Sequence, residues 1–226
     1  MRMRRKKYFA ERLEACAHLL CEAPEVPQET SEYFFGWEGD LYLEIGCGKG
    51  GFAVQFAAAN PSVCFMAMER IPNVMVNAVE RAEREKDTRP NNLRFMIGNA
   101  ETLPQWFAPK TISAIYLNFS DPWPKARNAK RRLTHRRFLE MYFSLLREDG
   151  TLYFKTDNND LFEFTLEELA ALGYTPSYVT RDLHNSPYRA GNIMTEYETN
   201  FVNQGMKINA LAVSPIKKAA ISQAQM

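Results

Sequence analysis

Five short apolar runs alternate with stretches of helical periodicity between residues 41 and 173, which restricts the chain to few folds. The runs are LYLEIG (41–46), VCFMAME (63–69), LRFMIG (93–98), ISAIYLNF (112–119) and GTLYFKTD (150–157). Between them, GFAVQFAAANP, residues 72–86 and LTHRRFLEMYFSLLRE place apolar side chains on one helical face, and LFEFTLEELAALG follows the fifth run. Strands separated by helices pair in parallel through right-handed crossovers. SYVTRDL (177–183) and EYETNFV (196–202) read as two late strands with no helix between them, which predicts an antiparallel finish. Upstream, Phe9, Leu13, Ala17 and Leu20 fall near helical spacing and predict an N-terminal helix. The expected fold is α/β: one doubly wound, mostly parallel, seven-stranded sheet whose last strand is antiparallel. From Lys207 onward no element is assigned.

At 226 residues and 46% hydrophobic content, the chain has enough apolar surface for one substantial core, which excludes disorder as its main state. No run approaches the roughly 20 apolar residues of a membrane helix. The basic start MRMRRKK is not followed by the apolar stretch and cleavage site of a secretory signal. Cys16, Cys21, Cys47 and Cys64 form no C-x-x-C pair, and the three histidines are scattered. Reduced thiols, a cytoplasmic location and no metal site are expected.

A formal net charge of +1 conceals an uneven distribution. Five cations lie in Arg2, Arg4, Arg5, Lys6 and Lys7, and seven more between Lys125 and Arg137 with no acid among them. Without those 12 the chain has 16 cations against 27 anions, a balance of −11. Two basic segments on an acidic body can steer a polyanion to one face; alternatively they are only solvated.

Polar residues gather where strands are expected to end. The first runs into Glu44-Ile45-Gly46-Cys47-Gly48-Lys49-Gly50-Gly51, whose glycines permit a tight turn and close approach to a ligand. The spacing Gly46, Gly48, Gly51 also fits a dinucleotide fingerprint, and a plain strand-to-helix turn is a third reading. Glu44, two residues before the first glycine, suits a cationic ligand better than a pyrophosphate. Glu69 ends the second strand, at a distance fitting an acceptor for ribose hydroxyls. Asn99 ends the third, as an adenine contact or a helix N-cap. Asp157 ends the fifth, where an N-cap for the segment opening at Asn159 is one reading. The fourth strand ends in Asn118-Phe119-Ser120-Asp121-Pro122-Trp123-Pro124-Lys125, where two prolines predict a rigid projecting turn. Trp123 offers a stacking face, and Tyr188 and Tyr197 are candidate stackers or plain core or rim aromatics.

Taken together, EIGCGKG, NFSDPWPK with the following KRRL, FKTDN and GNIMTEYE resemble the bacterial tRNA (guanine-N7-)-methyltransferases. The likeness spans about residues 38–203 and the MRMR start. It implies a Rossmann-like class I methyltransferase fold, S-adenosylmethionine as cofactor and tRNA as partner, in a cytoplasmic monomer or homodimer. A basic arm and helix over 1–37, a methyltransferase domain over 38–206 and a tail over 207–226 would follow. Carried over by position, Glu44, Gly46, Gly48, Glu69, Asn99 and Asp121 would bind the cofactor, and Asp121 would also be catalytic. Lys125, Asp157, Thr195, Glu196, Tyr197 and Glu198 would contact the target nucleotide; Arg127, Lys130, Arg131 and Arg132 would bind RNA. The cofactor's ammonium and sulfonium suit Glu44. Three other classes compete. Amine-directed methyltransferases usually carry D/N-P-P-Y where this chain has DPWPK. Redox chemistry on NAD leaves Glu44 unexplained and lacks a Tyr-x-x-x-Lys. A non-catalytic RNA-binding module would have little use for carboxylates at so many strand ends.

Overall fold

The computed structural model describes residues 8–88 and 91–216. The basic stretch Arg2–Lys7 therefore lies outside the described residues. Eight strands run β1 (Leu20–Cys21), β2 (Leu41–Ile45), β3 (Cys64–Glu69), β4 (Leu93–Ile97), β5 (Ile112–Asn118), β6 (Leu146–Thr156), β7 (Tyr178–Thr180) and β8 (Asn209–Val213). They form one sheet in the order β1-β4-β3-β2-β5-β6-β8-β7. Pairing is parallel from β1 through β6, and β8 is antiparallel to both its neighbours. Among the described residues eight α-helices accompany them: α1 (Phe9–Glu14), α2 (Thr30–Tyr33), α3 (Gly51–Ala59), α4 (Pro72–Arg84), α5 (Leu103–Trp106), α6 (Arg136–Leu145), α7 (Asn159–Ala171) and α8 (Glu196–Asn203).

The doubly wound, mostly parallel sheet with an antiparallel last strand is present, with eight strands rather than seven. The additional strand comes from the segment read as a continuous N-terminal helix. α1 stops at Glu14, a 3-10 turn covers Ala17–Leu19, and Leu20 and Cys21 pair with Phe95 and Met96 on the β4 edge. Edge pairing and the burial of Leu19 override helical spacing there. EYETNFV is not a strand but α8. Thr195 and Glu198 form a capping box at its start, each side chain satisfying the other's backbone N–H. The last strand instead comes from the stretch after Lys207, where Asn209–Val213 is wholly buried between β6 and β7.

The period of two along the central strands separates two cores. Leu41, Leu43, Ile45, Ile115, Leu117 and Phe154 pack toward α5, α6 and α7 around Trp106, Leu139 and Phe162. On the other face Phe65 and Ala67, with Tyr42 and Tyr116, pack against Phe52 and Phe56 of α3 and Met75 and Val79 of α4. Gly50 adopts φ +74°, and a Cβ there would lie 2.8 Å from the Ala78 Cβ, so a glycine lets α3 start tight against α4.

Candidate active site

The same alternation puts Glu44, Asn118 and Lys155 on one face at the carboxyl ends of β2, β5 and β6. Glu44 is one step beyond Leu43, Asn118 one beyond Leu117, and Lys155 one beyond Phe154 and in register with Asn118. Asn118 Nδ2 donates to Glu44 Oε1 at 2.8 Å. Glu44 is only 2% exposed, and its Oε2 has no hydrogen-bond partner. Burial pushes its pKa up to about 7 against the opposing pull of Asn118 and Lys155. An orphaned buried carboxylate oxygen is costly unless something completes it. Ser120 Oγ, two residues past Asn118, is also buried without a partner.

The glycine turn lies beside this row. Gly46 and Cys47 donate their N–H groups to Met68 O at 2.8 and 2.9 Å, tying the turn to β3. Gly46 and Gly48 have positive φ, and no heavy atom lies within 4 Å of where a Cβ would stand on either. That open cradle admits a ligand against bare backbone. Glu69 is oriented from two sides: Gly48 N donates to Oε2 at 3.1 Å and Ile71 N to Oε1 at 2.8 Å. Burial raises its pKa, and those backbone bonds pull it down. Asn99 serves as N-cap, its Oδ1 accepting from Glu101 N at a long 3.5 Å, and its side chain is exposed at the same rim.

The turn after β5 is fastened at both ends. Phe119 N donates to Lys155 O at 2.9 Å. Phe119 and Trp123 take φ of 52° and 42°, values that large L-residues rarely adopt, so tertiary contacts must hold them. Asp121 stands exposed between them. Arg132 donates from Nε to Pro122 O at 3.0 Å and from Nη2 to Trp123 O at 3.2 Å. Arg131 lies over the Trp123 ring at 4.3 Å. In the following basic run, Arg136 pairs with Glu168 and Arg137 with Glu101, whereas Lys125, Arg127 and Lys130 are exposed.

Lys155 is the principal residue missed in the sequence. Its Nζ donates to Asn192 Oδ1 at 2.8 Å, Ile193 O at 2.8 Å and Glu198 Oε2 at 2.7 Å. Burial lowers its pKa, while Glu198 and Glu44 raise it. Glu198 is fully buried; besides Lys155 it accepts from Asn192 Nδ2, Thr195 N and, at 2.8 Å, meets His184 Nε2. Thr195 Oγ1 accepts from Glu198 N. Glu196 pairs with Arg81 of α4, and Tyr197 is 67% exposed. Asp157 is half-buried in an open cleft with Arg181 and Lys207, and the N-cap of α7 is its neighbour Asn158. Tyr188 is stacked on Tyr178 at 3.7 Å, at a cavity of about 390 Å³ also lined by Phe52, Tyr116, Tyr153, Asn118 and Lys155. Among the described residues no cluster of three or more His, Cys, Asp or Glu could hold a metal ion, and no helix is long and apolar enough to cross a membrane.

This strand order, with a glycine turn and carboxylates at the strand ends, defines a class I methyltransferase. A family model described as "Putative methyltransferase" matches residues 38–211. The 16S rRNA methyltransferase KamB superposes with a TM-score of 0.62 at 14% identity, covering 87% of this chain and 98% of that one. Geranyl diphosphate C-methyltransferase from Streptomyces coelicolor A3(2), solved with S-adenosyl-L-homocysteine, gives 0.51 at 16% identity, covering 91% and 82%. At such identities the likeness is one of fold. More specifically, the chain is 42% identical over 209 residues to the tRNA (guanine-N(7)-)-methyltransferase of Geobacillus sp. (strain WCH70), covering 92% of this chain and 93% of that one. The chain belongs to the tRNA (guanine-N7-)-methyltransferase family.

Proposed function

We propose that the chain transfers the methyl group of S-adenosylmethionine to N7 of a guanine in the variable loop of tRNA. The observation that carries this reading is the Asp121–Lys125 turn, which begins three residues after Asn118, the hydrogen-bond partner of the incomplete Glu44 carboxylate, in a chain 42% identical to a tRNA (guanine-N7-)-methyltransferase. Glu44 Oε2 and the bare Gly46–Gly48 backbone fit the cationic methionine end of the cofactor. Glu69 fits its ribose hydroxyls, and Asn99 its adenine. When bound, the cofactor supplies a methyl group already activated on a sulfonium.

The rest falls to the chain's own residues. Guanine N7 carries an exposed lone pair, so no proton has to leave before attack. The chief requirement is to hold N7 in line with the methyl group, and orientation of this kind is worth up to about 7–11 kcal/mol. Methylation leaves a cationic purine, which a carboxylate at the ring stabilises. Asp121 has that role: it positions the base and offsets charge rather than acting as an obligatory base. Lys125, Asp157 and Thr195 are assigned to the target nucleotide. Glu198 already accepts from Lys155, Asn192 and Thr195 and meets His184, so it is assigned to holding that segment in place, with Glu196 and Tyr197 at its exposed surface. A base splayed out of folded RNA needs an aromatic face and a phosphate grip. Trp123 and Tyr197 offer the first; the exposed Arg127 and Lys130 offer the second, while Arg131, expected there from the sequence, lies over the Trp123 ring. A cytoplasmic location, and action as a monomer or homodimer, go with this reading.

Purified protein incubated with labelled S-adenosylmethionine and unmodified tRNA, followed by cleavage specific for 7-methylguanine, tests the proposal. Modification of a single guanine in the variable loop is expected. Cofactor binding without transfer to tRNA would refute the substrate and leave the fold standing.

A further inference from the structure

Arg132 belongs by sequence to the run expected to grip RNA, yet its contacts point inward. Two of its three guanidinium nitrogens donate to Pro122 O and Trp123 O, the two carbonyls directly after Asp121. Its guanidinium carbon lies over the ring of Phe164, 4.3 Å from the centroid, and Phe164 is a residue of α7 packed on the core. The turn it reaches is conformationally demanding, with left-handed backbone at Phe119 and Trp123 on either side of Asp121. The entry side is anchored by the bond from Phe119 N to Lys155 O, leaving the exit side to Arg132 and to Arg131 over the indole of Trp123. Lys130 and Arg127 in the same run are exposed.

From this we infer that Arg132 is a positioning residue for methyl transfer: it clamps the turn that presents Asp121 and is not part of the phosphate grip. The inference rests on the proposed role of Asp121. A planar fork that meets two carbonyls while stacking on an aromatic ring is a task a lysine cannot perform. Displacement of a reacting group by about 1 Å costs on the order of 100-fold in rate.

The test is steady-state kinetics of Arg132→Lys on unmodified tRNA at two salt concentrations, beside Lys130→Ala. Arg132→Lys keeps the charge and loses the fork. Its kcat is expected to fall by about 10–100-fold, with the tRNA KM and its salt dependence within about twofold of the parent. Lys130→Ala is expected to do the reverse. Phe164→Leu leaves the guanidinium in place but removes its platform, and serves should Arg132→Lys fail to fold; it too must lower kcat without moving KM. Unchanged kcat, or a raised KM with a shallower salt dependence in Arg132→Lys, overturns the inference. If the parent transfers no methyl group to tRNA, the proposed function fails instead. The clamp is then judged by fluorine NMR of protein labelled with 5-fluorotryptophan. Of its three tryptophans, Trp123 must shift in Arg132→Lys while Trp37 and Trp106 do not; no shift at Trp123 overturns the clamp itself.

Discussion

Lys155 and Glu198 meet at 2.7 Å with side chains 8% and 0% exposed, joining β6 to the first turn of α8 across 43 residues of chain. Removing one partner of such a pair leaves the other buried and uncompensated, at about 3–5 kcal/mol. Glu198→Ala is therefore expected to lower the melting temperature by on the order of 10 °C. It also removes half of the α8 capping box, so Glu198→Gln, which keeps an acceptor, should cost less. Thermal melts of the two variants against the parent check this ordering, and equal melting temperatures for all three would refute it.

Glu44 links pH to both stability and cofactor affinity. Its pKa is about 7 in the folded chain, against an ordinary 4.5, because of burial. Between those values the native state holds more protons than the unfolded one. Its contribution to stability is thus full below about pH 4.5 and is lost as pH rises through 7. A cation bound beside it favours the ionised form, so cofactor affinity should run the other way. A group with this pKa is about 10% ionised at pH 6 and about 90% at pH 8, which predicts up to about ninefold tighter binding at the higher pH. Isothermal titration with S-adenosylmethionine should show this slope in the parent and a weaker, flat response in Glu44→Gln.

Asp121→Asn should lower kcat by roughly 100-fold, the scale of losing one electrostatic stabiliser of a transition state. The residual rate should be independent of pH between about 6 and 8, since attack by N7 releases no proton. A rate close to the parent's with unchanged binding would remove the charge-offsetting role. A residual rate rising tenfold per pH unit would point to base chemistry instead.

Arg127 and Lys130 are exposed cations on the run that follows the turn. Removing a side chain that neutralises one phosphate should flatten the plot of log affinity against log salt by about 0.7–0.9. The double alanine variant is therefore expected to weaken tRNA binding at low salt and to differ less from the parent at high salt. Filter binding across a salt series measures this, and parallel lines for the two proteins would exclude a phosphate role.

The parallel half of the sheet was legible because each strand from β2 to β6 is an apolar run bounded by a helix or a glycine. Glu44, Glu69 and Asn99 were legible as strand-end residues for the same reason, since strand ends in such sheets face the crevice. Other features escaped for identifiable reasons. β8 is five residues, NALAV, buried on both faces, so no alternation marks it. EYETNFV carries β-forming residues, and the stronger signal was the Thr195-x-x-Glu198 box that spans its start. Lys155 reads as an ordinary strand lysine until Glu198 is brought to it by the fold. In the basic run, Arg131, Arg132, Arg136 and Arg137 prove to be engaged within the protein, a division that composition cannot make.

The position of β8 has a bearing on how the protein is made. Among the described residues β7 pairs only with β8, and β8 is inserted between β6 and β7 from residues 209–213. Emerging from the ribosome, β2 through β6 can pair in order of synthesis, but β6 keeps an open edge and β7 has no place to dock until residues 209–213 have been translated. Until then the β6 edge that carries Lys155 lacks its antiparallel neighbour, and unpaired strand edges of this kind are prone to associate in incompletely folded chains. A message truncated even a dozen codons before residue 213 would yield a chain whose central strands are all present and whose sheet cannot close.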